Sequence, residues 1–186
     1  MIDEPVVMAT DYILSVSLIV MGYRLPPSLW RLLFFMAAFA AAVGGTRHGF
    51  HSSLPALPLE VCWRVALAAF AFSGWALVNA LEPPVGRWLM HGKLVLAVLA
   101  ALIWGSFNGG LANYALDVGV ATALVLSRPP LSRWFLVGTV ITALGASLFV
   151  FRIGIGDFPV ASLFHLVEIS GFYCWYRSIH QGELVP

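Results

Sequence analysis

Residues 29–53 read LWRLLFFMAAFAAAVGGTRHGFHSS. After Arg31 no charge interrupts the run until Arg47, and His48 and His51 follow at once. A bilayer crossing needs about 20 mostly apolar residues, so 29–50 reads as a membrane helix. The two imidazoles at its end need a reason, because ionisable groups in a span are costly and usually face a bundle interior or a wet cavity.

The rest of the chain agrees with that reading. Of 186 residues, 60% are hydrophobic and 10% charged, with a mean hydropathy of +0.89. A soluble domain carries about 25% charged residues, so this composition predicts an all-α integral membrane protein. The net charge of +1 and the lack of a basic run give no reason to expect a nucleic-acid partner. The expected partners are membrane lipids and a lipid-like substrate. The N-terminus, MIDEPVVMATDY, is acidic and lacks the features of a cleaved leader. Cys62 and Cys174 are too few for a disulfide framework, and both are expected to be free.

Seven spans are predicted in a single domain covering 1–186: residues 8–24, 29–50, 60–81, 87–107, 110–127, 131–152 and 157–178. Proline and glycine punctuate them at LPPS, SSLPALP, EPPVG, NGG, SRPPLS and GIGDFP. The first and fifth are the weakest, interrupted by Asp11 and by Asn113 and Asp117. Short connections make neighbours antiparallel. Trp30, Trp63, Trp88 and Trp134 fall near span starts, and Trp104 and Trp175 near span ends, as interfacial anchors do. Seven of the ten Lys and Arg residues fall on the face opposite the N-terminus. The positive-inside rule then predicts an outside N-terminus and a cytoplasmic C-terminus. The expected location is a plasma membrane of the bacterial inner-membrane type.

Depth along each span collects the polar residues on the N-terminal side. Asp11, His48, His51, Glu60, Asn108, Asn113, Asp117 and Asp157 fall there, with His165 roughly 12 Å below Asp157. Asn113 and Asp117 share a helix face, as do His165 and Glu168. This predicts a polar cavity opening to the N-terminal face. Plainer roles are open to each residue: His51 as an interfacial histidine, Asp11 as a helix cap, Asp117 paired with Asn113 or nearby backbone. His91 and His180 read as solvated residues of the other face. Imidazoles grouped with carboxylates suit zinc, which can hold an ionisable water for a nearby carboxylate to use.

The layout resembles the CREST superfamily of seven-helix membrane proteins, which includes alkaline ceramidases and the adiponectin and progestin receptors. The resembling stretches are TDYILSVSLIV (residues 10–20), GGTRHGFHS (44–52) and SLFHLVEISGFYCWYR (162–177). The resemblance implies a zinc-dependent hydrolase of a lipid amide or ester. It makes His48 the helix-two ligand, His165 a helix-seven ligand and Glu60 the helix-three carboxylate. The family's serine position is Gly44 here, and a second helix-seven histidine is missing, with Ala161 and Ile169 in its place. The third ligand is then expected from Glu168, Asp157, Asp117 or His51, with Glu60 or Asp157 positioning water. The competing expectations are a non-catalytic binding, transport or receptor-like protein, and a haem held between His48 and His165. A retinal protein is disfavoured because span seven has no lysine.

Overall fold

The computed structural model describes residues 2–81 and 86–184, with the Arg87 side chain set aside. Residues 82–85 of the EPPVG break, and the charge of Arg87 used for orientation, lie outside the described residues. Seven helices form among the described residues: α1 Pro5–Tyr23, α2 Leu29–Phe50, α3 Ala56–Ala80, α4 Arg87–Trp104, α5 Phe107–Leu126, α6 Arg133–Val150 and α7 Val160–His180. No strand is found among the described residues.

Local chemistry sets the ends. Pro5 opens α1, and Pro55 and Pro159 precede α3 and α7, where a missing N–H costs nothing. Ser28, Ser106 and Ser132 cap α2, α5 and α6 by accepting from the N–H of Arg31, Gly109 and Phe135. The fourth break differs from its sequence expectation. It falls at Gly105, at φ 60°, with the Ser106 cap after it. Asn108, Gly109 and Gly110 therefore lie inside the first turn of α5.

Five helices, α1, α2, α3, α5 and α6, are long and apolar enough to cross a membrane. The first and fifth, marked as weakest from sequence, are among them. The two that fall short are α4, whose apolar stretch Trp88–Trp104 is shorter, and α7. The deficit of α7 is chemical: it carries His165, Glu168, Arg177 and His180. Outward-facing Val16, Leu96, Leu99, Val140 and Leu144 are exposed, which suits lipid better than water and is consistent with an integral membrane protein.

The helices form a ring in the order α1, α2, α3, α5, α6, α7 and back to α1, with α4 outside against α3 and α5. Two seams are closed through small residues. A Cβ on Gly45 would stand 2.9 Å from Cβ of Asp11, so α2 reaches α1 only as glycine. A Cβ on Gly138 would stand 2.6 Å from Trp175 and 2.7 Å from the Gly171 carbonyl, so α6 and α7 are nearly in backbone contact. Trp175 is fully buried there and donates to the Phe135 carbonyl at 3.2 Å.

Candidate functional site

A cavity of about 1240 Å³ occupies the middle of the ring. Most of its wall is Leu, Ala, Phe and Val from α1, α2, α3, α5, α6 and α7. Its polar residues gather toward one end, where α1, α3, α5 and α7 begin. Asp11, Tyr114, Thr142 and His165 each sit roughly 8–12 Å along their helix from that end. Glu168 follows one turn below His165.

Asp11 and His165 form the centre. Nε2 of His165 lies 3.3 Å from Oδ1 of Asp11, and Nδ1 lies 3.2 Å from the Thr10 hydroxyl. Both nitrogens are occupied, so the ring is fixed in orientation. The Thr10 hydroxyl also lies 2.9 Å from the Val7 carbonyl. If that hydroxyl donates to Val7, the imidazole proton is on Nδ1 and the Asp11–His165 contact needs a proton between carboxyl and Nε2. If it donates to Nδ1, Nε2–H donates to the carboxylate. Either way Nε2 and Oδ1 face each other at 3.3 Å beside the cavity, near enough for a small movement to pass a proton between them.

Around this pair, polar atoms are left over. Oδ2 of Asp11 and the Thr139 hydroxyl are buried and have no hydrogen-bond partner among the described residues. Beside them, Thr142 pairs with the Glu168 carboxyl and Tyr114 with Ser73. Asp11, Tyr114, Thr139, Thr142 and Glu168 all line the cavity. Buried polar groups are normally satisfied, and each one left open costs about 1–3 kcal/mol.

The mouth carries a second set. His48 Nδ1 is 2.7 Å from Glu4, and His51 Nδ1 is 3.3 Å from Asp3. The Asp3 and Glu4 N–H groups donate to the carbonyls of Gly49 and His48. The segment before α1 is thus strapped to the end of α2. Hydrogen bonds from the Ser52 hydroxyl and N–H hold the Asp3 carboxyl below its ordinary pKa. Arg47 stacks on Trp63, 4.2 Å from the ring centroid. Glu60 lines the mouth and accepts from Arg64 at 2.9 Å.

The sequence-derived candidates therefore separate. Asp11, His165 and Glu168 come together in the cavity; His48, His51 and Glu60 stand at its mouth. Asp157 is exposed in the α6–α7 connection and does not line it. Asn113 and Asp117 do not line it either. Asp117 turns toward α4, where Lys93 Nζ lies 2.7 Å away, and Lys93 also reaches the Asn113 carbonyl at 3.5 Å. The reason is depth. Lys93 is about 16 Å from the Trp104 end of α4, and Asp117 about 15 Å from the Phe107 end of α5, so the hairpin sets them level. Sequence reading passed over Tyr114, Thr139, Thr142 and Arg47. The threonines carried one available signal, a three-residue spacing that puts both on one face of α6.

His48, His165 and Glu168 do not assemble as a metal centre. Among the described residues no group of three or more His, Cys, Asp or Glu side chains is placed to hold a metal ion. His48 is engaged by Glu4, and both nitrogens of His165 have protein partners. Cys62 and Cys174 are free.

Fold and site together define a helical, membrane-type bundle around a largely apolar cavity with one polar end. The chain belongs to a family of unknown function (DUF6962), whose model matches residues 6–184. No curated protein and no solved structure is detectably similar to it.

Proposed function

We propose that the protein crosses a plasma membrane, of the bacterial inner-membrane type, seven times, with the N-terminus outside and the C-terminus in the cytoplasm. In that setting it takes an amphiphile into the central cavity and hydrolyses an amide or ester bond near the head group. One observation carries this reading: the Asp11–His165 pair, with Oδ2 of Asp11 and the nearby Thr139 hydroxyl unpartnered, lines a largely apolar cavity. A ligand with a donor-rich, uncharged head would fill those vacancies, and its tail would lie along the Leu and Ala walls.

The reaction follows from the Asp11–His165 pair. A water held beside it gives a proton to the pair as its oxygen attacks the carbonyl carbon. The same proton returns to the departing nitrogen or oxygen, and the two products are an acid and an amine or alcohol. In this scheme the Thr139 hydroxyl, which lines the cavity, donates to the carbonyl oxygen as charge develops on it. The resemblance to the CREST superfamily supports the same reaction class. Zinc belongs to that resemblance, and the donors as arranged do not fit it, so no step uses it.

The second reading is binding without turnover, which the same vacancies would serve. The test is fatty-acid release by detergent-purified protein from a ceramide, an N-acylethanolamine and a monoacylglycerol. Asp11→Asn and His165→Ala are assayed alongside, with metal content measured on each sample. Hydrolysis lowered by at least about 100-fold in both variants supports the reaction. Bound lipid without release moves the protein to the second reading. One zinc per chain, lost with His165→Ala and His48→Ala, would replace the metal-free scheme.

A further inference from the structure

The seam between α5 and α6 differs from every other in the ring. Both helices line the cavity, yet they barely touch one another. Each is anchored away from the seam. Asp117 ties α5 to Lys93 of α4, and Tyr114 stacks on Phe70 of α3 at 4.3 Å. Ser132, at the start of α6, lies 2.5 Å from the Ser178 hydroxyl and donates to Glu183 at 2.6 Å, which pulls α6 onto α7.

The rims of the gap are small. Ala115, Gly119 and Ala123 of α5 and Ala143 of α6 line the cavity and are exposed. A Cβ on Gly119 would meet nothing within 4 Å. Glycine here leaves space, whereas Gly138 and Gly45 close it. The gap is bounded at both ends. Phe107 and Phe149 meet edge to face at 5.2 Å across the end nearest the polar cluster. At the other end the short Ser127–Ser132 connection joins the two helices. What remains is a slot in the side of the bundle, flanked by exposed Leu116, Val140 and Leu144.

We infer that this slot admits the hydrocarbon tail of a bilayer amphiphile sideways into the cavity, so that the ligand arrives from lipid and not through the strapped mouth. This rests on the reading of the cavity as an amphiphile site. The occupant follows from continuity: an apolar surface opens through the slot onto a cavity whose far end is polar. The slot also limits the tail. From Tyr114 to Leu126, both on the cavity wall, α5 runs about 18 Å, the reach of an extended chain of roughly fourteen carbons.

The test follows exchange of a deuterated tetradecanoyl ethanolamide between vesicles and protein in nanodiscs, with native mass spectrometry reading bound probe over time. Gly119→Trp and Ala143→Phe narrow the slot from its two sides. Val16→Phe, on the outer face of α1 away from both the slot and the cavity, is the control. The expected result is uptake and release both slowed at least roughly tenfold in the slot variants. The control exchanges normally. Normal exchange in both slot variants, with the probe bound, overturns the slot and leaves the binding reading standing. Exchange slowed instead by Glu4→Gln or His48→Ala, which alter the mouth, overturns it too. No probe bound by wild type removes the binding reading and the slot with it. Each slot variant stands alone, so misfolding of one, seen as lost occupancy and a lowered Tm, leaves the other to decide.

Discussion

Asp11 and Asp117 are the same residue type in the same kind of place, a helix interior with almost no exposure, at 4% and 1%. Their partners set them apart. Asp117 meets an ammonium at 2.7 Å and turns away from the cavity. Asp11 meets an imidazole at 3.3 Å and keeps one oxygen unpartnered at the cavity wall. The first is a charge neutralised in place, which fixes α4 against α5. The second is an acid with chemistry left to do. Burial of an acid does not mark a site; an unfinished set of partners beside open space does.

The largest effect is expected at the finished pair. Asp117→Ala strands the Lys93 ammonium among apolar helices and should cost about 3–5 kcal/mol of stability. Asp117→Leu with Lys93→Met removes both charges and should recover most of that loss. Thermal unfolding in detergent reads both. If the double variant is as unstable as the single one, Asp117 does more than neutralise Lys93.

Asp11→Asn should behave in the opposite way. The amide keeps an acceptor for His165, so stability should move by no more than about 1 kcal/mol, while hydrolysis or ligand binding is lost. A variant as unstable as Asp117→Ala would erase the distinction between the two aspartates. Glu168→Gln sharpens it further. Its carboxyl meets only the Thr142 hydroxyl, which the amide can also bond, so unfolding should be nearly unchanged, and amphiphile affinity should fall.

The smallest effect belongs to a third aspartate, Asp3, which stands near water and is held by Ser52. Its pKa is depressed in the folded state, so its contribution to the strap is complete above the ordinary aspartate pKa of about 3.9. That contribution disappears as pH falls through the depressed value. Hydrogen exchange at the Ser52 amide should therefore be slow at neutral pH and speed up only in strong acid. Asp3→Asn should remove the pH dependence. Faster exchange on raising the pH toward 8 would show the strap to be governed by His51 or His48 instead.

The helices were legible because apolar length and proline or glycine breaks are written along the chain. The run from Leu29 to Phe50 is one helix in the structure as in the sequence. The collection of Asp11, His48 and His165 near one end was legible too, since depth follows from counting residues along alternating helices. Rotation was not. Whether Asp117 faces a cavity or α4 depends on how α5 is turned, and Asn113 one turn away gave no sign of it. Sorting Lys93 to one face of the membrane and Asp117 to the other hid a pair that meets midway. Asn108–Gly110 read as a break because glycine usually is one, yet the Ser106 cap allows the helix to start ahead of it. Thr139 and Thr142 looked like ordinary small residues of an apolar helix until the space beside them was visible.

The slot between α5 and α6 has a practical corollary. To a side entrance lined with alanine and glycine, an alkyl detergent is a rival guest, present during extraction at far higher concentration than any natural ligand. Solubilisation is then a competition experiment run before the first assay. Occupancy after purification should depend on detergent tail length, weakest for tails too short to span the wall from Leu126 to Tyr114. Rigid sterol-type detergents, too broad for the rims at Gly119 and Ala143, should leave the native guest in place.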